Sequence, residues 1–503
     1  MHPAPNTRPP AGRRLRFGRK VSALVLVLAV LAAAGAAALL AGCFTNPATG
    51  KETFSLYSTG QEIQIGRESD QAIRAQLGVA GDSALQRYVA GIGRNLAAVS
   101  ERRDLPWTFC VVDDPTINAF ALPGGYVYVT RGILAHMENE AELASVMGHE
   151  IGHITARHSV TQMTKQQLAQ LGLAGAVILK PDLEKYGQLI SAGLGLLFLK
   201  FSRDDEHQAD LLGLRYMYRG GYDPREMDDV FAMLDRVSGQ QGGSALPNWL
   251  STHPSSADRI QRITRMVDSL PPDFSGRKVS RNEFLQRIDG LVYGDNPREG
   301  YFRGNTFIHP DLKFHIDFPD QWQTANQKQS VAGVSPNEDA LLQVSLAEAQ
   351  TPAAAAQQFV SQQGISASAP QGATIGGLSA ATATFSAQTG DGVQLTGTAA
   401  FVGYNGRVFE ILGYGLAGQW SQYRSAVAGA IASFGPVTDQ SLLNVKPRRI
   451  EIVTIPRAMT IQEFNQAYPS DSKTTVEELT ILNLVQSGEK IPAGTMVKRV
   501  VAK

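Results

Sequence analysis

The chain has 503 residues, 43% hydrophobic and 18% charged, with 49 Gly, 25 Pro and 2 Cys. At roughly 100–200 residues per domain this length predicts several domains, and the composition excludes collagen-like or wholesale disordered chains. Formal charge is zero, but residues 1–43 hold six cations (Arg8, Arg13, Arg14, Arg16, Arg19, Lys20) and no acid, which leaves 40 basic side chains against 46 acidic ones, a net of −6. A mildly acidic body is a poor nucleic-acid binder, so no nucleic-acid partner is expected.

The first element is an address. Arg13 to Lys20 form a basic flank, Val21 to Leu40 an almost unbroken apolar run, and Leu40-Ala41-Gly42-Cys43 follows directly. The run is long enough to span a bilayer, so an uncleaved anchor is the alternative. The small residues before the cysteine favour a cleaved export signal. Leu-Ala-Gly-Cys resembles the bacterial lipobox, which implies lipidation of Cys43 and a membrane partner through the acyl chains. Phe44 stands where an Asp would suggest inner-membrane retention. The expected location is therefore the outer membrane, facing the periplasm, with periplasmic-side inner-membrane anchoring as the alternative. Cys110, within Phe109-Cys110-Val111-Val112, reads as a buried core thiol.

Apolar residues at helical spacing predict two helices between Gly60 and Val99. Trp107 to Val112 and Tyr126 to Thr130 are β-branched and aromatic and read as strands, with an extended and sharply turned Asn118-Ala119-Phe120-Ala121-Leu122-Pro123-Gly124-Gly125 between them. Glu138 to about His158 reads as one helix, acidic at its start and basic at its end. Leu168 to Leu179 and Leu189 to Leu199 are apolar blocks too short to span a membrane and read as a buried helical hairpin. Helices follow at Asp204 to Arg219, Pro224 to Val237 and Ser255 to Ser269. The expected organisation is a signal segment at 1–43, a mostly helical domain at 44–270, a linker at 271–300, an α+β domain at 301–438 and a strand–helix–helix–strand unit at 446–503.

His149-Glu150-Ile151-Gly152-His153 carries the chemistry. Histidines at i and i+4 lie about 40° apart around a helix, one above the other, and can share one Zn²⁺. Glu150 sits on the adjacent flank, placed for a water rather than for the metal. The alternative is a helix with two surface histidines and an ordinary salt-bridging Glu. His158 is placed on the face opposite His149, and His136 reads as a solvated turn residue. A catalytic zinc needs a third protein ligand and an open position. Glu206 and Asp210 share a face of the helix opened by Ser202-Arg203-Asp204-Asp205, so Glu206 is the expected ligand and Asp210 the acceptor for a histidine N–H. His207 is the rival by residue type. Gly148 and Gly152 each cost about 1 kcal/mol against Ala within a helix, which suits a close-lying backbone.

His149 to His153, Ser202-Arg203-x-x-Glu206-x-x-Ala209-Asp210 and Asn118-Ala119-Phe120 together resemble metallopeptidase family forty-eight over roughly residues 50–270. That family contains the CAAX prenyl proteases and quality-control proteases of the BepA and HtpX kind. The resemblance implies a gluzincin (zincin-like) fold in an overall α+β chain, one Zn²⁺ held by His149, His153 and Glu206, and Glu150 as base. It also marks Ser251-Thr252-His253-Pro254 with Arg259, where His253 acts as an additional inhibitory ligand or as an oxyanion stabiliser, the alternative being a capping loop. Substrate is expected as an extended strand along Asn118, Ala119, Phe120 and Ala121, a mode with little sequence demand that suits unfolded or misassembled proteins.

Arg449 to Val453, Thr460 to Phe464, Glu478 to Asn483 and Ile491 to Val497 are similar to a LysM repeat, which implies peptidoglycan as a further candidate partner. Arg457-Ala458-Met459 replaces the usual Gly-Asp, and a packing domain is the alternative. The leading functional expectation is a zinc endopeptidase of envelope quality control. The competing expectations are a proteolytically latent chaperone-like lipoprotein and a structural lipoprotein bound to the cell wall.

Overall fold

The computed structural model describes residues 43–48, 50–173, 199–240, 249, 253, 257–271, 273–390 and 392–503. The expected export signal up to residue 42, most of the apolar hairpin (174–198) and the capping serines 255 and 256 lie outside the described residues. Among the described residues no helix is long and apolar enough to cross a membrane.

A short hairpin of β1 (Cys43–Thr45) and β2 (Glu52–Phe54) precedes two helices, α1 (Thr59–Leu77) and α2 (Ser83–Ala98). Ser58 and Asp82 cap them, because their side-chain oxygens accept the first free backbone N–H groups. A three-stranded sheet follows, of β3 (Thr108–Val112), β4 (Ala119–Leu122) and β5 (Tyr126–Thr130). Its order is β3-β5-β4, with β3 parallel and β4 antiparallel to the central strand. Cys110 lies buried in this sheet as a free thiol, its pKa pushed up by burial.

The helix expected over 138–158 is present as α4 (Glu140–Thr155); α3 (Arg131–His136) precedes it, and His158 opens a separate helix, α5 (His158–Leu173). Asn139 caps α4 by accepting from the Glu142 N–H at 2.9 Å, which separates it from α3. Arg157 separates α4 from α5, its φ of 62° lying in the left-handed region that no helix continues through. Arg157 is held there by Glu62, by the Tyr57 carbonyl at 2.6 Å and by the Phe44 ring at 3.7 Å. His136 is a helix-end residue, not a solvated turn residue. Its Nδ1 bonds the Gly132 carbonyl at 2.7 Å, and burial lowers its pKa to about 4. Every residue of α4 is buried, so it is the axis of the domain. Around it lie α6 (Arg203–Arg219), α7 (Glu226–Gln240) and α8 (Ala257–Asp268).

The stretch expected as a linker contains α9 (Arg281–Ile288), whose Phe284, Leu285 and Ile288 are fully buried in the core built around α4. Its polar flanks hide this apolar triplet in the sequence. Residues 323–416 form an eight-stranded antiparallel sheet with Pro352–Val360 on one face and Trp420–Ser433 on the other, beside a four-stranded sheet spanning 301–317 and 435–436. Gln323–Asn326, Ser330–Val334, Ile365–Ala367 and Gln371–Ile375 were not legible as strands, being polar or small and lying toward the sheet margins.

The C-terminal unit has the expected order, with Arg448–Thr454 and Met496–Ala502 pairing antiparallel around helices Ile461–Ala467 and Val476–Leu482. It is not a tethered bead. Lys498, fully buried, reaches out of this unit to the Met137 carbonyl at 2.8 Å, the Ala135 carbonyl at 3.2 Å and Glu138 Oε1 at 2.8 Å. Arg281 completes the joint through Glu138 Oε2 at 2.5 Å and the Met496 carbonyl at 3.0 Å. These contacts fix the loop that launches α4. Removing one partner of a buried ion pair costs about 3–5 kcal/mol, so Lys498→Met should lower the midpoint of urea unfolding strongly, while Lys473→Met, at an exposed position, should leave it in place.

Candidate metal centre

The centre is made where α4 and α6 touch. Gly148 and Gly152 face Gly213 and Ala209, and the two helices meet backbone to backbone. A Cβ placed on Gly213 would lie 2.9 Å from the His149 nitrogen, and one on Gly152 would lie 3.0 Å from the Ala209 carbonyl oxygen. This is the physical reason for two helix-weakening glycines in the motif. The contact brings Glu206 and Asp210, one turn apart on α6, against His149 and His153, one turn apart on α4. Ser202 caps α6 in a capping box with Asp205, which sets where that helix starts.

His149, His153, Glu206 and His253 are all buried, and one ligand atom from each lies within 4.8 Å of the others. His149 Nε2 and His153 Nε2 are 3.0 Å apart, and each is 3.5 Å from a Glu206 carboxylate oxygen. His253 Nδ1 is 2.8 Å from Glu206 Oε1 and 3.3 Å from His149 Nε2. The donor set fits a divalent zinc. His149 gives its Nδ1 proton to Asp210 Oδ1 at 3.0 Å, which leaves a bare lone pair on Nε2. That lone pair, the facing imidazole nitrogen of His153 and a carboxylate converge on one point, an arrangement of imidazole and carboxylate donors that zinc takes readily.

Arg259, 1% exposed, holds Asp210 through 2.8 and 2.7 Å bonds and lies 3.0 Å from Glu206 Oε2. Burial pushes Asp210 up, but the hydrogen bond from His149 and the charge of Arg259 outweigh it and hold the carboxyl at about 2. Burial likewise opposes Glu206 ionisation. The close approach of His253, then of His153 and His149, reverses this and holds it well below the usual carboxylate range. Burial drives His149 down to about 3, so it is neutral, as a ligand must be. Glu150 behaves oppositely to Glu206: burial raises it to about 7 against a weaker lowering by His153 and by the Trp249 hydrogen bond. Its Oε1 accepts from Trp249 Nε1 at 3.3 Å and lies 3.6 Å from His253 Nε2.

The structure brings His149, His153, Glu206 and His253 together, with Asp210 against His149 and Glu150 near His253; His207 is exposed. Ala119 and Phe120 are buried, Phe120 stacking on Tyr128 at 4.8 Å, so the backbone of β4 and the half-buried Ala121 are what is left to meet another chain. Among the described residues β4 pairs with β5 alone, and buried Asn118 Oδ1 makes no hydrogen bond. Three neighbours escaped sequence reasoning. Trp249 joins Glu150 to the start of β4 through its N–H to the Ile117 carbonyl at 3.3 Å. Phe201 lies on the His153 ring at 4.1 Å. His158 contacts His153 although a continuous helix would have turned it away; the break at Arg157 had no sequence signal.

A histidine pair one turn apart, a carboxylate from a second helix and a neighbouring buried glutamate define a metallopeptidase centre. Residues 83–267 match the family described as Peptidase family M48. The chain is 40% identical over 172 residues to the mitochondrial metalloendopeptidase OMA1 of Arabidopsis thaliana, covering 34% of this chain and 33% of that protein. It is 39% identical over 179 residues to the OMA1 of Schizosaccharomyces pombe, covering 35% of this chain and 51% of that one. It is 30% identical over 237 residues to the beta-barrel assembly-enhancing protease of Escherichia coli K12, covering 45% of this chain and 48% of the relative. The chain thus spans about a third to a half of the curated relatives it matches.

Overpacking a tight contact costs about 1–3 kcal/mol, so Gly213→Ala should destabilise the protein and weaken zinc in a chelator competition. The same substitution at Gly91, where nothing lies within 4 Å, should instead stabilise by up to about 1 kcal/mol through helix propensity.

Proposed function

We propose that the chain is a zinc-dependent endopeptidase of the gluzincin type, acting on unfolded or misassembled proteins of the cell envelope. The observation that carries this reading is the convergence of His149, His153 and Glu206 with Glu150 buried beside them, since a purely structural zinc has no use for an adjacent base. His149, His153 and Glu206 would hold a zinc ion, which would supply Lewis acidity toward a peptide carbonyl and water. Glu150, raised toward neutrality by burial, would take a proton from water as its oxygen bonds to the carbonyl carbon, and pass that proton to the amine nitrogen as the C–N bond breaks. The substrate lies along the open edge of β4, exchanging backbone hydrogen bonds with Asn118 to Ala121, a mode that favours extended chains over particular sequences.

Three supporting proposals concern the rest of the chain. Residues up to Cys43 act as a lipoprotein signal, and acylated Cys43 holds the protein to the outer membrane on its periplasmic side. The segment after that cysteine is seated directly on the peptidase body, with Asn46 bonded to the Ala156 carbonyl at 2.9 Å, so such an anchor would keep the centre close to the bilayer. The C-terminal unit is LysM-like by its strand–helix–helix–strand order, and peptidoglycan is its candidate partner.

One observation favours a second, latent form. His253 provides a fourth donor, which closes the shell that a catalytic zinc keeps open. The described arrangement is then the resting one, and departure of His253 admits water and substrate.

Glu150→Gln should keep one zinc per chain and lower casein cleavage by roughly 10²–10⁴-fold; retained cleavage would refute the assignment. His253→Ala should keep zinc and raise casein cleavage several-fold. Lost cleavage with zinc retained would make His253 an oxyanion stabiliser instead.

A further inference from the structure

We infer that His158 and Gln208 form a positioning pair that sets the tautomer of His153 and thereby aims its Nε2 lone pair at the metal. The inference deepens the proposed metal centre and rests on it.

His149 and His153 are oriented by different means. His149 has the carboxylate of Asp210 on its Nδ1. His153 has no carboxylate there. Its Nδ1 faces His158 Nδ1 at 2.9 Å, with the two rings nearly perpendicular (75°) and 4.9 Å between centroids. His158 is not among the four clustered ligand residues, so no cation would satisfy this pair as it would the two Nε2 atoms; two imidazole nitrogens 2.9 Å apart here share one proton, and one ring donates while the other accepts. The far side of His158 decides which. Its Nε2 lies 2.8 Å from Gln208 Oε1 and 3.7 Å from Asp205 Oδ1, both acceptors. The His158 proton therefore sits on Nε2, its Nδ1 accepts from His153 Nδ1–H, and His153 Nε2 is left bare. With the opposite order, His153 would carry its proton on Nε2, pointing at the other ligands.

The pair is built rather than incidental. The left-handed Arg157 swings the start of α5 back over α4 and places His158, 5% exposed, on the outer side of His153. Phe201 packs on the same ring. Gln208 lies on α6 between Glu206 and Asp210, so one helix supplies a ligand, the orienting group for His149 and, through His158, the orienting group for His153.

Four single variants of the full chain test this by zinc affinity in chelator competition and by the absorption bands of the cobalt-substituted protein, with apo-protein melting as the fold control. His158→Leu, which removes the acceptor, should weaken zinc by about 10–100-fold and shift the cobalt bands. His158→Gln, whose side-chain oxygen can accept from His153, should recover most of the affinity. Gln208→Glu, still an acceptor, should match wild type. Gln208→Lys, a donor only, should weaken zinc as His158→Leu does, at unchanged apo melting. If zinc affinity and cobalt bands are the same in all four, or if Gln208→Glu and Gln208→Lys behave alike, the inference is wrong. If the wild-type chain itself takes up no zinc, the metal centre falls and the inference with it.

Discussion

The molecule depends on how closely two helices approach. Glycine at 148, 152 and 213 and alanine at 209 let the backbones of α4 and α6 meet at a distance no larger side chain permits. Only at that separation do a glutamate and an aspartate on one helix reach two histidines on the other. The same approach buries the polar groups, and burial is what gives them opposite properties: Glu206 is kept ionised among cationic and hydrogen-bonding neighbours, whereas Glu150, with fewer of them, is pushed up to about 7. Two carboxylates a few residues from the same point thus become a ligand and a proton carrier.

The rest of the chain serves that contact by fixing the two ends of α4. At its start, Lys498 and Arg281 converge on Glu138 and tie the C-terminal unit to the loop before Asn139. At its end, Arg157 is clasped by Glu62, Tyr57 and Phe44, so the segment following Cys43 packs beside the last turn. The middle domain touches the sheet through Lys328 and Asp113 at 2.7 Å, with Arg131 on the same carboxylate. A buried helix with both termini held by distant parts of the sequence has little freedom to rotate its histidines.

Much of the site was legible because its chemistry is local. His149, Glu150 and His153 lie on one helix, and Glu206 and Asp210 on another, so the 3.6-residue period alone groups each set without knowledge of the fold. His158 and His136 were misplaced because their positions depend on where α3, α4 and α5 break, and those breaks are made by tertiary contacts to Arg157 and by the Asn139 cap. Trp249 carried no pattern; its importance comes from what folds against it. Ala340–Ala347 and Arg407–Leu416 alternate between buried and half-exposed positions, a pattern a sequence displays, whereas wholly exposed Gln323–Asn326 has no apolar face to display.

Three imidazoles and one carboxylate, drawn from two packed helices and from position 253, converge on one point, where the proposed zinc would sit. X-ray absorption at the zinc edge of the purified, zinc-loaded chain measures this directly. The expected spectrum fits one site per chain with three histidine nitrogens and one carboxylate oxygen at about 2.0–2.2 Å. A shell containing sulfur, or one dominated by water oxygens without the imidazole signature, would contradict it.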